Sequence, residues 1–138
     1  MKGIRVSLAL FLLAAVAGMA GGLIAQDKAA QNHATYVYNT TDQVTVEGTV
    51  QEVKDYKCPV TGTVGSHITV KTSGDAIEVH LAPVTFMKEY EMVLHAGDNV
   101  KVVGAKILFE GKPALLAKTV KVGQETLTFR DEKGKPLW

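Results

Sequence analysis

The segment Gln43-Val-Thr-Val-Glu-Gly-Thr-Val-Gln-Glu-Val-Lys54 alternates apolar and polar residues and then changes which face is apolar. Val46 and Val50 share one face of an extended strand, whereas Val53 falls on the opposite face. A glycine inside a β-branched run is where a long strand bends, so that it can serve two parts of a closing sheet. The segment therefore predicts a small β-barrel whose first strand bends at Gly48.

The same alternation predicts four further strands, over residues 67–72, 76–82, 99–109 and 114–122. Thr72-Ser73-Gly74-Asp75 is typical of the turn that closes a hairpin between the second and third strands. A turn centred on Ser73-Gly74 sets Val70 opposite Ile77, which pairs apolar side chains on one face, and sets His67 opposite His80 on the other. A second change of apolar face at Val103-Gly104 predicts a second bulge.

One helix is predicted between the third and fourth strands. Pro83 ends the third strand and can open a helix, because its fixed φ and missing N–H are tolerated there. An apolar stripe at three- and four-residue spacing predicts a helix of about ten residues. The stripe consists of Phe86, Met87, Tyr90 and Leu94. The predicted order is three strands, a helix and two strands.

The N-terminus has the pattern of a secretory signal: basic residues at Lys2 and Arg5, an apolar run over 6–16, and small residues after it. Residues 1–25 are interpreted as the signal peptide, with cleavage after Ala20 as an alternative to Ala25 and an uncleaved anchor as a further one. The predicted organisation is then a polar leader over 26–42, a barrel over 43–122 and a C-terminal tail over 123–138. The domain is expected to be exported, either periplasmic or extracellular.

The net charge argues against a general affinity for polyanions. Removing Lys2 and Arg5 takes the 15 basic residues to 13, against 14 acidic ones. A nearly neutral domain has no broad electrostatic attraction for nucleic acid or anionic membranes.

The order of elements, with Ala96-Gly-Asp-Asn-Val-Lys-Val-Val-Gly104 opening the fourth strand, resembles the OB-fold, a five-stranded Greek-key barrel. The chain is most similar to small exported bacterial OB-fold proteins of unassigned activity. That similarity rests on Val79-His80-Leu81-Ala82-Pro83 and on a tail of the type Arg130-Asp131 followed by Gly134, Pro136, Leu137 and Trp138. The chain is distantly similar to periplasmic OB-fold stress-tolerance proteins, but lacks their acidic second strand. The resemblance implies ligand binding on the outer face of strands two and three.

That face, read from the alternation, carries polar side chains from the first three strands. They are Thr45, Glu47, Thr49, Gln51, His67, Thr69, Lys71, Glu78 and His80. The set has no aromatic residue and more acids than lysines, whereas binders of single-stranded nucleic acid need stacking rings in a positive groove. We therefore expect a binding or interaction module for a small molecule or an exported protein, with nucleic-acid binding, which rests on analogy with the fold alone, as a less favoured alternative.

A metal site is the alternative function. Cys58 is the only cysteine, so it cannot form an intrachain disulfide. With His67 and His80 opposite each other in the hairpin, it could complete a site for copper or zinc. Other interpretations are that the histidines are ordinary polar surface, that Cys58 is simply buried, or that it forms a disulfide with another chain.

Catalysis is not expected. Ser66 and His67 are neighbours in a strand, so their side chains lie on opposite faces and cannot form a nucleophile–base pair. No phosphate-binding loop, nucleophile elbow or zinc-protease motif occurs. In the tail, Leu127, Phe129 and Trp138 are interpreted as covering an open end of the barrel, with docking to a partner as the alternative.

Overall fold

The computed structural model describes residues 37–57 and 63–138. Six strands run over Gln43–Lys57 (β1), Val64–Lys71 (β2), Ala76–Pro83 (β3), Asn99–Phe109 (β4), Lys112–Val122 (β5) and Glu125–Thr128 (β6). A short helix, α1, spans Val84–Glu89, and a 3-10 turn at Thr40–Asp42 precedes β1. The predicted signal peptide, most of the predicted leader and Cys58 lie outside the described residues.

The described part of the chain is mostly β-sheet, as predicted, but it has six strands instead of five. The strand order is β3-β2-β1-β4-β5-β6 with antiparallel neighbours, and β3 also pairs in parallel with β5 over three residue pairs. This short pairing makes the closure less regular than that of the predicted barrel. The sixth strand arises because Gly123 adopts a positive φ of 59°, which turns the chain back so that β6 pairs with β5.

The predicted change of face in β1 is present, but the bulge is at Gln51 and not at Gly48. The register between β1 and β2 shifts between Val50 and Glu52, so Gln51 is the extra residue. Gly48 has a different role, since a Cβ there would lie closer than 3.0 Å to the backbone oxygen of Lys71. The glycine therefore allows a close approach of two backbones.

The register predicted for the hairpin is confirmed. Val70 pairs with Ile77 and His67 pairs with His80 across the β2–β3 hairpin. The β4–β5 register also shifts at Val103 and Gly104, but the extra residue is Lys118, so the second bulge lies in β5 and not in β4 as predicted.

The helix is shorter than predicted. Pro83 is its N-cap, and Tyr90 follows its last residue. Glu91 then adopts a positive φ of 51°, which is incompatible with continuing an α-helix. The predicted apolar stripe is divided as a result: Phe86 and Met87 are buried, whereas Tyr90 is 58% exposed.

Two apolar clusters occupy opposite faces of the sheet. The main core includes Ile68, Val79 and Leu115, and the tail contributes Leu127 and Phe129 to it. The second, smaller cluster packs on the other face, because its members Ala114 and Leu116 alternate with the core residues Leu115 and Ala117 along β5. It consists of Tyr38, Ala105, Ile107, Phe109, Ala114 and Leu116, with Tyr56 packed against it. Within residues 37–57 and 63–138, no helix has the length and apolarity needed to cross a membrane.

Candidate functional site

The two histidines lie on the face predicted for ligands, but that face is not solvated at their position. His67 is 5% exposed and His80 is 8% exposed, so the interpretation of ordinary polar surface is wrong for both. The cause is aromatic cover from distant strands. The Tyr56 ring lies 3.9 Å from the His67 ring, and the Phe109 ring lies 4.5 Å from the His80 ring, centroid to centroid.

The remaining predicted face residues are spread over a larger area. Thr69 and Glu78 are half-buried and pair with each other across the hairpin, next to the histidines. Thr49 and Lys71 pair with each other and are exposed. Gln51 occupies the bulge and is also exposed.

The bulge brings two residues to the site that the sequence analysis did not include. After Gln51 the register aligns Lys54 with His67 and Tyr56 with Gly65. Lys54 and Tyr56 therefore project onto the histidine face. The sequence does contain a signal for this placement. The change of apolar face along β1 implies that, after Gln51, the even-numbered residues lie on the histidine face in place of the odd-numbered ones.

Glu78 is the centre of the group. Its Oε1 atom accepts a hydrogen bond from the Tyr56 hydroxyl at 2.8 Å, and Nδ1 of His67 lies 3.0 Å from the same atom. Nε2 of His80 lies 3.5 Å from Oε1, and Nζ of Lys54 lies 3.8 Å from Oε2. One ligand atom from each of His67, Glu78 and His80 falls within 4.8 Å of the others.

Burial sets the charges in this group. It lowers the pKa of His80 to about 4, aided by the neighbouring His67, and it also lowers the pKa of His67 although Glu78 opposes this. Burial alone would raise the pKa of Glu78, but hydrogen bonds from Tyr56 and His67 and the charge of Lys54 lower it. At neutral pH the group therefore holds two neutral imidazoles around an ionised carboxylate.

A small cavity of about 140 Å³ lies against the two histidine rings. The tail forms its other side, because Arg130 and Trp138 also line it. Arg130 is 8% exposed, and its guanidinium carbon lies 5.1 Å from the centre of the Trp138 ring. Neither Arg130 nor the cavity was predicted from the sequence.

A larger cavity, about 860 Å³, lies elsewhere. It lies beside the start of β1, lined by Val44 and Val46 among others, and contains none of the predicted site residues. The buried histidine group is the candidate site because imidazole and carboxylate ligand atoms converge there.

The sequence profile of the MamS/MamX magnetosome protein family matches residues 42–127. The chain belongs to this family. The match spans β1 to β5 and nearly all of β6. It therefore includes His67, Glu78 and His80 but not Arg130 or Trp138. It does not bear on the distant similarity to OB-fold stress-tolerance proteins. None of the curated proteins matches the chain.

Proposed function

We propose that this protein is a non-enzymatic binding module that holds one divalent transition-metal ion at His67, Glu78 and His80. The observation that carries the proposal is the convergence of one ligand atom from each residue within 4.8 Å. Two imidazoles and a carboxylate are a ligand set that zinc and several other first-row ions accept.

The spacing of the ligand atoms supports the proposal. An ion with bonds of about 2.0 to 2.1 Å in tetrahedral geometry keeps its ligand atoms about 3.3 Å apart. The separations of His67 Nδ1 and His80 Nε2 from Glu78 Oε1, 3.0 and 3.5 Å, lie on either side of that value. Two of the three separations between ligand atoms are therefore already close to those around a bound ion.

The protonation states also suit a metal. Imidazoles bind metals in the neutral form, and burial lowers the pKa of both His67 and His80. The Tyr56 hydroxyl and Lys54 contact the carboxylate of Glu78, as groups around the ligands of a metal site commonly do. Nδ1 of His67 lies 3.0 Å from the carboxylate. Metal binding through Nδ1 would place the single proton of the neutral ring on Nε2, so the imidazole would stay neutral.

The proposal replaces Cys58 with Glu78 as the third ligand. A carboxylate oxygen is a harder ligand than a thiolate, which favours Zn²⁺ or Cu²⁺ over Cu⁺. Three protein ligands leave a fourth position for water or another molecule. We propose binding without catalysis.

The fold and family fit a binding module. The strand order and the parallel contact between β3 and β5 support an OB-fold-like barrel, a fold that binds ligands on this face. Membership of a family named for magnetosome proteins supports a role at the magnetosome, and the predicted signal peptide supports export of the domain.

The test is a metal titration of protein freed of metal with EDTA. Calorimetry with Zn²⁺ should give one ion per chain, and Co²⁺ should give the visible absorption of a low-symmetry site. Glu78→Gln and His80→Gln should each weaken Zn²⁺ binding by about 10-fold or more. Cys58→Ser should leave the affinity unchanged.

The control variant is His95→Gln. His95 and Asp98 form a second histidine–carboxylate pair, with 3.9 Å between Nδ1 and Oδ2, but the His95 side chain is 74% exposed. Its replacement should not alter the affinity. Zn²⁺ binding that survives in Glu78→Gln, or that disappears in Cys58→Ser alone, would contradict the proposed ligand set.

A further inference from the structure

The cavity beside the histidines contains a buried cation without a counter-ion in the described part of the chain. Arg130 is 8% exposed, yet no carboxylate of residues 37–57 or 63–138 lies within 4.0 Å of its guanidinium. Arginine remains charged in proteins, and buried charges are normally paired. Burial lowers the pKa of Arg130, and this is the direction expected for a buried cation that has no neighbouring anion.

The guanidinium of Arg130 also lacks a hydrogen-bond acceptor for one of its donors. Nη1 donates to the backbone oxygen of Gly134 at 3.1 Å, which fixes the guanidinium to the tail. Nε is buried and has no hydrogen-bond acceptor among the described residues. The rings of Tyr38 and Trp138 lie 5.6 and 5.1 Å from the guanidinium carbon, so aromatic groups hold the cation in place.

The cavity wall suits an organic anion. Its lining contains one charged side chain, that of Arg130, and no acidic one. Much of the remaining wall is apolar or aromatic, including Leu81, Leu116 and Phe109. A hydrated inorganic anion would place polar atoms against these apolar side chains. A carboxylate with a short hydrocarbon part suits both the charged guanidinium and the apolar wall.

The volume limits the size of the ligand. At about 30 Å³ for each water-sized group, 140 Å³ holds about five non-hydrogen atoms. Nucleotides and oligosaccharides are therefore too large, whereas carboxylates of two or three carbons fit.

We propose that the cavity between the β2–β3 hairpin and the C-terminal tail binds a small organic carboxylate through Arg130. The carboxylate accepts the hydrogen bond of Nε, and its hydrocarbon part packs on Leu81 and Leu116. This inference goes beyond the metal site and does not require it, because Arg130 and not an ion supplies the charge.

Trp138, the only tryptophan, lines the cavity and gives a direct signal for binding. Propionate should change its fluorescence in a saturable way and raise the melting temperature, in a buffer that contains EDTA and no other carboxylate. Arg130→Met keeps the length of the side chain and removes its charge, and it should weaken propionate binding by about 10- to 100-fold. Arg130→Lys should bind at an intermediate level, because it retains the charge without the planar fork.

The control for general charge effects is Lys101→Gln, since Lys101 pairs with Glu47 on an exposed surface and should not influence the cavity. EDTA in every sample separates this inference from the metal proposal, so either can fail alone. Equal propionate binding by Arg130→Met and the wild type would overturn the proposal. No saturable signal at 50 mM, about 100 times a sub-millimolar dissociation constant, would also overturn it, as would binding of phosphate in preference to propionate.

Discussion

Acidification should destabilise the metal-free protein through His80. The folded pKa of about 4 lies below the ordinary value of 6.5, so between these values the folded state binds fewer protons than the unfolded state. The stability contributed by neutral His80 is therefore complete above pH 6.5 and is lost as the pH falls towards 4. One pKa unit corresponds to 1.36 kcal/mol, which gives a loss of about 2 to 3 kcal/mol between pH 7.5 and 4.5.

The neighbours of His80 do not oppose this loss in that window. The pKa of His67 is also lowered by burial, so its loss of stability has the same sign. The pKa of Glu78 is lowered from 4.5, so its contribution is lost below this window. As the pH is lowered from 7.5 to 4.5, the free energy of unfolding should fall because the buried histidines resist protonation in the folded state. Below pH 4.5 it should fall again because the carboxylate of Glu78 becomes protonated.

The assay is urea unfolding followed by circular dichroism at several pH values between 7.5 and 4.5, with EDTA present. His80→Gln has no ionisable ring and should lose clearly less stability over this range than the wild type, whatever its stability at pH 7.5. His95→Gln, at an exposed position, should keep the wild-type slope. Equal slopes for His80→Gln and the wild type would refute the assignment of a buried neutral histidine.

Two further predictions concern the fold and the ligand class. Gly48→Ala should lower the free energy of unfolding by about 1 to 3 kcal/mol, because its Cβ would meet the backbone of Lys71. The control is Gly74→Ala, whose Cβ comes no closer than 4.0 Å to another atom and which should change the free energy of unfolding by less than about 0.5 kcal/mol. The midpoints of urea unfolding of the two variants and the wild type test this. A fluorescent single-stranded oligonucleotide should not bind at physiological salt. The rings of Tyr56 and Phe109 on this face pack against the histidines, and Lys54 pairs with Glu78, so the face does not offer stacking rings in a positive groove. Micromolar, salt-sensitive binding in an anisotropy titration would contradict this.

The β2–β3 hairpin was predictable because local and paired information agree there. The turn residues at Ser73-Gly74 fix the loop, and the pairing of Val70 with Ile77 fixes the register. His67 and His80 then face each other without any further assumption. The change of apolar face along β1 was equally visible, but alternation alone confines the bulge only to the stretch between Val50 and Val53.

Burial of the site was not predictable, because it depends on side chains far apart in the chain. Phe109 comes from the end of β4 and packs on His80, while Tyr56 comes from the end of β1. Alternation assigns a residue to a face but does not indicate whether that face is covered. Arg130 follows β6, in a tail whose return across the sheet has no periodic signal.

The bulge at Gln51 connects the fold to the candidate site. Without it, the pairing of Thr49 with Lys71 would continue to align Gln51 with Thr69 and Val53 with His67, and Tyr56 would project towards the other face. The extra residue instead places Lys54 and Tyr56 on the side of Glu78, where both contact its carboxylate. Bulges commonly re-aim side chains in this way. The feature that bends β1 for the sheet is therefore also the feature that supplies the hydrogen bond and the positive charge that keep Glu78 ionised between two neutral histidines.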